Sequence, residues 1–186
     1  MNIYLIGYMY SGKTTIGRQL AQRLGMDFTD LDQLFEEHYH ITLPIFFKKY
    51  GEKPFRTLER QLLHSTENLR HTVISTGGGT PCYFDNMDFI RANGTSVYLR
   101  MPYDAICARM TVSKKQRPVF NGLSDEERRN MVREQLEQRQ QYYTQADITF
   151  DAFNPDLDAL ESCCRQALSS TPQTPPTGNA TVVDKQ

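Results

Sequence analysis

The chain is poor in cysteine, carries no excess of charge of either sign and has no long apolar run. Its four cysteines form no C-x-x-C pair, so we expect free thiols in a reducing compartment. A net charge of −1 argues against a chain-wide nucleic-acid surface, while leaving room for a local basic pocket. No apolar stretch approaches the ~20 residues that cross a bilayer, and no basic signal-peptide region precedes Ile3. We therefore expect a cytoplasmic protein that binds neither nucleic acid nor membranes.

A single α/β domain with a short tail is what the pattern of the chain predicts. The length of 186 residues suits one domain with an appendage. Short apolar segments alternate with amphipathic ones, which is typical of a mostly parallel sheet flanked by helices. The predicted strands are residues 3–6, 27–29, 72–75, 95–99 and 148–150, and the predicted helices include residues 14–24, 54–69, 85–93, 103–109 and 125–143. Such sheets bind ligands beyond the carboxyl ends of their strands.

Two stretches stand outside this alternation. Residues 111–123 have little apolar pattern, and a loop of that length in a compact domain is typically functional or disordered. Ser124 and Glu127 then form an S-x-x-E capping box, which predicts that a helix begins there. From residue 169 to the end, Ser, Thr, Pro and Gly dominate. We expect a folded domain over residues 1–168 and a disordered tail over residues 169–186.

The strongest motif runs from Gly7 to Thr14 and reads G-Y-M-Y-S-G-K-T. It matches the phosphate-binding pattern G-x-x-x-x-G-K-S/T between an apolar strand and a helix, which is the context that the motif requires. Glycines allow backbone N–H groups to surround phosphate oxygens, and the helix N-terminus adds partial positive charge. Lys13 is expected on the β- and γ-phosphates and the Thr14 hydroxyl on Mg²⁺. A GTPase switch is disfavoured because no N-K-x-D element occurs.

Asp30 and Asp32 follow the second predicted strand. In an extended segment residues i and i+2 face the same side, so both carboxylates could face the site, one near Mg²⁺ and one accepting a proton from a substrate hydroxyl. The alternative is that one of them caps a helix starting near Leu31. The motif alone leaves the two interpretations even.

Three arginines occupy unusual places. Arg56 is predicted in the first turn of a helix, where a cation opposes the helix dipole, so it holds an anion or forms an i,i+3 surface pair with Glu59. Arg139 lies in the apolar stripe of the helix 125–143 and either reaches into a pocket or snorkels to solvent. Arg117 lies in the loop 111–123, which is either a closing lid that brings it to phosphate or a solvated basic loop.

A run of three glycines, Gly77, Gly78 and Gly79, directly follows the third predicted strand. Glycines at this position let a ligand approach the backbone closely. The alternative is a flexible turn, but the carboxyl end of a strand favours the ligand interpretation.

Together these motifs resemble the shikimate kinase family over about residues 2–168. The set comprises the phosphate loop, Asp-x-Asp after the second strand, the G-E-x-x-F-R-x-x-E run at residues 51–59, the triple glycine, an Arg-Pro in the loop and an R-x-x-x-Y stretch. The resemblance implies a three-layer P-loop NTPase fold with a five-stranded parallel sheet and a lid loop. It also implies transfer of the γ-phosphoryl group of ATP to the 3-hydroxyl of shikimate, a step of chorismate and aromatic amino-acid biosynthesis.

The resemblance also assigns roles to individual residues. Mg²⁺ is held by Thr14 and Asp30, and Asp32 binds shikimate hydroxyls and serves as base. Shikimate is further bound by a carboxylate clamp and a backbone wall, which consist of Arg56, Arg139, Gly77, Gly78 and Gly79. Lys13 and the lid residue Arg117 act on the transferred phosphate. ATP contacts are Gly7, Tyr10, Ser11, Gly12, Lys13, Thr14, Thr15, Arg109, Arg117 and Pro155.

One departure and two alternatives accompany this interpretation. Many family members have glycine where this chain has Tyr10, so we expect a local adjustment of the loop with binding retained. Another kinase of the same fold, for gluconate or nucleoside monophosphates, would not be expected to combine all these motifs. A nucleotide-binding module without catalysis would be expected to lack Lys13, Asp32 or an anion-holding arginine. The resemblance also favours a monomer.

Overall fold

Five parallel strands form the centre of the computed structural model, which describes residues 1–113, 118–120 and 122–170. The strand order is β2-β3-β1-β4-β5, with β1 hydrogen-bonded to β3 on one side and β4 on the other. The strands are β1 (Asn2–Ile6), β2 (Asp27–Asp30), β3 (Thr72–Ser75), β4 (Gly94–Arg100) and β5 (Ile148–Asp151). All five predicted strands are confirmed, with ends that differ by at most one residue.

Eight α-helices connect and flank these strands in the part of the chain that is described. They are α1 (Lys13–Leu24), α2 (Leu31–Tyr39), α3 (Leu43–Tyr50), α4 (Glu52–Ser65), α5 (Asn86–Asn93), α6 (Tyr103–Val112), α7 (Asp125–Tyr143) and α8 (Leu157–Ser170). Crossovers between parallel strands are right-handed, which puts α1 on one face and α4, α5 and α7 on the other. Because α8 packs on α1, the predicted three-layer α/β architecture is confirmed.

The start of α7 follows the prediction closely. Ser124 accepts a hydrogen bond from the backbone of Glu127, and the Glu127 side chain accepts one from the Ser124 backbone. This capping box satisfies two backbone donors that a helix start otherwise leaves open. The helix ends at Tyr143, as its apolar spacing predicts.

The other end of the domain lies two residues beyond the predicted boundary. Helix α8 continues to Ser170, so the first two residues assigned to the tail are helical, and residues 171–186 lie outside the described part. Of the predicted lid, residues 111–112 end α6 and Pro118–Phe120 form a short 3-10 helix.

Two hydrophobic clusters hold the domain together. The larger surrounds β1 and β4 and contains fully buried Ile3, Leu5, Val97 and Leu99. The smaller, which we call the aromatic cluster, consists of Phe35, Phe46, Phe55 and Leu62 and joins α2, α3 and α4. Edge-to-face packing of Phe35 on Phe46, with ring centroids 5.1 Å apart, is the favourable geometry for such rings. The aromatic cluster fixes α4 beside the carboxyl ends of the strands. In the described ranges, no helix has the length and apolarity needed to cross a membrane.

Candidate active site

The loop between β1 and α1 has the closed geometry that its sequence predicts. Gly12 precedes α1 with φ 91°, a left-handed conformation that only glycine adopts without cost. The Ser11 backbone N–H donates to the Tyr8 carbonyl at 3.2 Å and tightens the loop. Lys13 Nζ donates to the carbonyls of Gly7 and Tyr8 at 2.7 and 2.9 Å. The lysine is therefore held at the loop, with its ammonium at the position where phosphate charge is expected.

Tyr10 adopts the backbone conformation of the glycine that it replaces. Its φ is 68°, in the left-handed region that costs other residues roughly 1–2 kcal/mol. Arg109 Nη1 donates to the Tyr10 carbonyl at 3.0 Å, so the end of α6 braces the loop at this point. The expected local adjustment is thus a left-handed, strained backbone conformation at Tyr10 itself.

A small cavity of about 160 Å³ lies over this loop, and we call it the phosphate cavity. Its lining includes five of the predicted ATP contacts, namely Tyr10, Gly12, Lys13, Thr14 and Thr15. Two others, Gly7 and Ser11, are buried beneath the loop. Within the described chain the Ser11 hydroxyl oxygen is buried without a hydrogen-bond partner.

Both aspartates of the Asp-x-Asp motif reach the phosphate cavity, by a route different from the predicted one. Asp30 ends β2 and caps α2, accepting from the Asp32 backbone N–H at 3.0 Å. Asp32 is therefore helical, and the prediction that both carboxylates project from one extended segment is wrong. The first turn of α2 brings Asp32 back beside Asp30 at the same cavity. Asp30 therefore both caps helix α2 and lines the phosphate cavity, two roles that the sequence presented as alternatives.

Thr14 and Asp30 supply an oxygen pair suited to a hard divalent cation. Thr14 Oγ1 donates to Asp30 Oδ2 at 2.6 Å. Mg²⁺ is usually held by one or two protein oxygens together with substrate phosphates and water. Residues 1–113, 118–120 and 122–170 contain no cluster of three or more His, Cys, Asp or Glu side chains placed to hold a metal. The donor pair therefore fits an ion shared with bound phosphates.

The triple glycine is required by close packing on three sides. A Cβ atom on Gly77 would lie 2.6 Å from Glu59 Oε1, and one on Gly78 would lie 2.9 Å from the Met9 backbone nitrogen. A Cβ on Gly79 would lie 2.7 Å from Arg56 Nη2. Because real contacts to Cβ are longer, a side chain on Gly78 would displace the backbone of the phosphate loop, and one on Gly77 or Gly79 would displace the side chain of Glu59 or Arg56. The run is a tightly packed wall of the site rather than a flexible turn.

Arg56 lies in the second turn of α4 because that helix begins at Glu52, earlier than predicted. Its Nε and Nη2 donate to Glu52 Oε1 at 3.0 and 2.9 Å, and its Nη1 donates to Glu59 Oε2 at 2.7 Å. The guanidinium carbon also lies 4.2 Å from the centre of the Tyr83 ring. A guanidinium has five N–H groups, and these two carboxylates accept three of them.

The predicted surface pair of Arg56 and Glu59 exists, but it is buried. The Glu59 side chain is 5% exposed, and its other oxygen accepts from Thr80 Oγ1 at 2.6 Å. Burial raises the pKa of the Glu59 carboxyl, with Arg56 and Thr80 acting in the opposite direction. Burial works to lower the pKa of Arg56, but Glu59, Tyr83 and Glu52 together outweigh it and the pKa is raised. Arg56 is therefore fixed in place and permanently charged.

The Glu52 carboxylate completes this arrangement from the solvent side. Tyr83 Oη donates to Glu52 Oε1 at 2.9 Å. Partial burial acts to raise the pKa of Glu52, but the hydrogen bonds from Arg56 and Tyr83 outweigh it and hold the pKa below its usual range. Neither Glu52 nor Tyr83 has a role in the sequence-based prediction, and Glu59 appears there only as a surface partner of Arg56. One signal was present for Glu59, a charged residue in register with the apolar positions Phe55 and Leu62 of α4.

Arg139 projects from α7 toward the same region and does not snorkel into solvent. Its guanidinium carbon lies 5.3 Å from the centre of the Tyr8 ring. One turn further along, Tyr143 is buried and its hydroxyl donates to the Gly78 carbonyl at 2.5 Å. Burial raises the pKa of Tyr143, so the phenol remains a neutral donor. Helix α7 is thus bonded to the glycine wall next to Arg139.

A second cavity of about 910 Å³ holds both arginines, and we call it the acid cavity. Its volume is typical of a small-molecule pocket, roughly 300–1,000 Å³. Polar lining is provided by Glu52, Arg56, Glu59, Gln135 and Arg139, while apolar lining is provided by Leu43, Pro44, Ile45, Phe47, Phe55 and Val119. The two cavities meet, because Met9, Asp32, Gly77 and Gly78 line both. Asp32 therefore stands between a phosphate-binding loop and a pocket for an anion.

Three further predicted site residues are not placed in these cavities. Arg117 lies outside the described residues. Pro155 is exposed in the segment between β5 and α8. Arg109 donates to the Tyr10 carbonyl and therefore contacts the phosphate loop itself. The structure thus groups most of the predicted residues at one edge of the sheet.

A parallel sheet with a phosphate loop at its first strand, opening into a pocket for a small anionic molecule, defines a small-molecule kinase of the P-loop class. Comparison with known proteins gives the family. The family model described as "Shikimate kinase" matches residues 9–166. A shikimate kinase of Parabacteroides distasonis is 46% identical over 150 residues, covering 81% of this chain and 87% of the relative.

Solved structures agree with the sequence comparison. The crystal structure of shikimate kinase from Bacteroides thetaiotaomicron has a TM-score of 0.82 at 38% identity and covers 91% of this chain and 98% of that one. Shikimate kinase from Acinetobacter baumannii, solved in complex with shikimate, has a TM-score of 0.80 at 33% identity and covers 93% of this chain and 95% of that one. The chain belongs to the shikimate kinase family.

Proposed function

We propose that the chain phosphorylates the 3-hydroxyl of shikimate with ATP, giving shikimate 3-phosphate and ADP. The observation that carries this proposal is the position of Asp32, which lines both the phosphate cavity and the acid cavity. A hydroxyl bound there lies between a proton acceptor and the phosphate to be transferred. Phosphoryl transfer needs mainly such positioning, together with neutralisation of charge.

The carboxylate of shikimate is proposed to bind Arg56 and Arg139 in the acid cavity. A planar guanidinium matches the two oxygens of a planar carboxylate. Glu52 and Glu59 fix the Arg56 guanidinium before substrate arrives, so little side-chain freedom is lost on binding. Gly77, Gly78 and Gly79 form the backbone wall against which the ring of the substrate packs.

ATP is proposed to bind over the loop from Gly7 to Thr15. Lys13 would exchange its bonds with loop carbonyls for bonds with the β- and γ-phosphates, and the α1 N-terminus would add partial positive charge. Arg109 is proposed to flank the adenine from its place on the loop, with Pro155 on the other side. Arg117 is proposed to reach the phosphates from the lid over residues 111–123.

Mg²⁺ is proposed to be held by Thr14 and Asp30. When bound, this ion neutralises phosphate charge and orients the γ-phosphoryl group. The hydrogen bond between Thr14 and Asp30 keeps their oxygens together in its place. Asp32 is proposed to bind substrate hydroxyls and accept the proton of the attacking one.

We further propose that the enzyme is a cytoplasmic monomer that acts on small molecules and binds neither nucleic acid nor membranes. All four cysteines are free thiols, which suits a reducing compartment. Light scattering during size-exclusion chromatography should give a mass near 21.5 kDa. A mass of twice that value would contradict the monomer.

The test of the main proposal is ADP release with Mg²⁺ and a panel of acceptors: shikimate, gluconate and nucleoside monophosphates. We expect turnover with shikimate to exceed that with the others by orders of magnitude, because only shikimate offers the carboxylate and ring hydroxyls in the right arrangement. The variant Asp32→Asn should lower kcat by about 10²–10⁴-fold. Asp27→Asn, at the exposed start of β2, is the matched control. Faster turnover of another acceptor would replace shikimate in the proposal.

A further inference from the structure

Tyr8 is the second residue of the phosphate loop, yet its side chain contacts the helix that carries Arg139. The residue is 1% exposed, and its ring centre lies 5.3 Å from the guanidinium carbon of Arg139. Its hydroxyl donates to Gln135 Oε1 at 2.9 Å. Gln135 precedes Arg139 by four residues, so Tyr8 contacts the same face of α7 twice.

We propose that Tyr8 is a positioning residue for Arg139. The ring attracts the guanidinium, and the hydroxyl bond to Gln135 holds the turn of α7 from which the arginine projects. The inference rests on the proposed function, because it concerns how the arginine that binds the shikimate carboxylate is held.

The geometry supports an electrostatic role for the ring. A guanidinium within about 6 Å of an aromatic centroid is attracted to the negative ring face, and the attraction grows as water is excluded. Burial raises the pKa of Tyr8, so the phenol stays protonated and donates to Gln135. Arg139 is half-buried and thus only partly screened by solvent.

Arg139 needs such support more than Arg56 does. Two carboxylates and the Tyr83 ring fix Arg56. The Arg139 guanidinium is instead held by neutral side chains: it lies over the Tyr8 ring and donates a hydrogen bond to Tyr143 on its own helix. A long arginine side chain without support loses rotamer freedom when it binds an anion, and Tyr8 reduces that loss in advance.

Tyr8 also connects the two halves of the site. Its carbonyl accepts from Lys13 Nζ at 2.9 Å, and a Cβ atom on Gly78 would lie 3.5 Å from its carbonyl carbon. Through one residue, the loop that binds phosphate therefore contacts the glycine wall and the arginine of the acid cavity.

The test measures the KM for shikimate and for ATP separately in Tyr8→Leu and Tyr8→Phe. Tyr8→Leu removes the ring and the hydroxyl, and we expect the KM for shikimate to rise about tenfold while the KM for ATP changes less than about twofold. Tyr8→Phe keeps the ring and should raise the KM for shikimate only about two- to threefold. A purely space-filling role would also be rescued by Tyr8→Phe, so the deciding result is the split between the two KM values: loss of packing under the loop would raise the KM for ATP as well, whereas loss of the contact with Arg139 raises the KM for shikimate alone.

Tyr4→Leu is the matched control, because Tyr4 is a fully buried tyrosine of β1 whose hydroxyl bonds to Thr66 Oγ1, away from both cavities. It should lower the melting temperature and leave both KM values unchanged. If Tyr8→Leu does not fold, Tyr8→Phe and Gln135→Ala form a double-mutant cycle. Once Gln135 is alanine, Tyr8→Phe should then have no further effect.

Two results would overturn the inference. One is an unchanged KM for shikimate in Tyr8→Leu, or equal rises for shikimate and ATP. The other is full additivity in the cycle with Gln135. A wild-type protein that turns over no shikimate would contradict the proposed function and this inference with it. If the wild type is active, the KM values of the Tyr8 variants test the inference alone.

Discussion

The phosphate cavity and the acid cavity share a border but are constructed differently. The first is formed on one side by the continuous stretch of chain from Gly7 to Thr15, with Asp30, Asp32 and part of the glycine wall opposite it. The second combines side chains from α3, α4, the glycine wall and α7; ion pairs with Glu52 and Glu59 hold Arg56, whereas Arg139 lies over the Tyr8 ring. A site made from local backbone tolerates change in its surroundings, whereas a site made from distant side chains depends on every contact that fixes them.

The largest effect should come from the one side chain on which the phosphate cavity depends. Replacing Lys13 with methionine removes the charge nearest the transferred phosphate, and kcat should fall on the order of 10²–10³-fold. The control is Lys49→Met, an exposed lysine of α3. Steady-state kinetics with saturating shikimate measure the effect, and near-normal kcat in Lys13→Met would show that the backbone alone suffices.

Next in size is the effect of Arg139→Ala on the acid cavity. Loss of a charged hydrogen bond to carboxylate should raise the KM for shikimate about 10- to 100-fold, while ATP binding stays largely intact. Arg139→Lys should recover only part of this, because an ammonium cannot form the bidentate fork. Arg133→Ala is the matched control. Arg133 is on α7, like Arg139, and its guanidinium also lies over a tyrosine ring, that of Tyr103 in α6. An equal loss of ATP and shikimate binding would assign Arg139 a structural role.

A third prediction concerns stability and tests how much the acid cavity depends on its buried pair. Glu59→Ala leaves the buried Arg56 charge with fewer partners, and the free energy of unfolding should fall by about 3–5 kcal/mol. Asp158→Ala breaks the exposed pair with Arg23 and should cost far less, because solvent screens it. Urea unfolding measures both variants. Equal losses would show that burial adds nothing to the Arg56–Glu59 pair.

The smallest expected effect concerns the strained residue of the phosphate loop. Tyr10→Gly and Tyr10→Ala both remove the ring, but only glycine adopts φ near 68° without cost. The glycine variant should therefore be more stable than the alanine variant by roughly 1 kcal/mol, with ATP binding retained in both. Thermal unfolding compares them directly, and a more stable alanine variant would show that this backbone conformation is not strained.

Most of the fold was predictable because its signals are local. Apolar segments predict all five strands within one residue, and the capping box of Ser124 and Glu127 marks the start of α7. Helices α3 and α8 are not among the predicted ones, and α2 is predicted only as an alternative, a helix starting near Leu31. Helices α2 and α3 are short and close the aromatic cluster, so their main stabilisation comes from contacts among Phe35, Phe46 and Phe55 rather than from local propensity.

The site was predictable in part. The positions of Lys13, Thr14 and the glycine wall follow from motifs next to strands, but the helical position of Asp32 does not. Burial of Glu59 and the anchoring of Arg56 depend on the packing of α4, which the pair spacing alone could not distinguish from a surface position. Tyr8 carried no sequence signal, because a tyrosine in a variable position of the loop is compatible with many orientations.

By itself, then, the sequence determined the phosphate loop, the succession of strands and helices along the chain, and the family. Eight consecutive residues between a strand and a helix specify that loop, because glycine torsions and backbone N–H groups act over a few ångströms. Only the tertiary structure decided that Arg56 and Arg139 share one cavity and that Asp32 borders both. Those relations arise from α2, α4 and α7 packing at one edge of the sheet, and packing over distant residues is not encoded in any short segment.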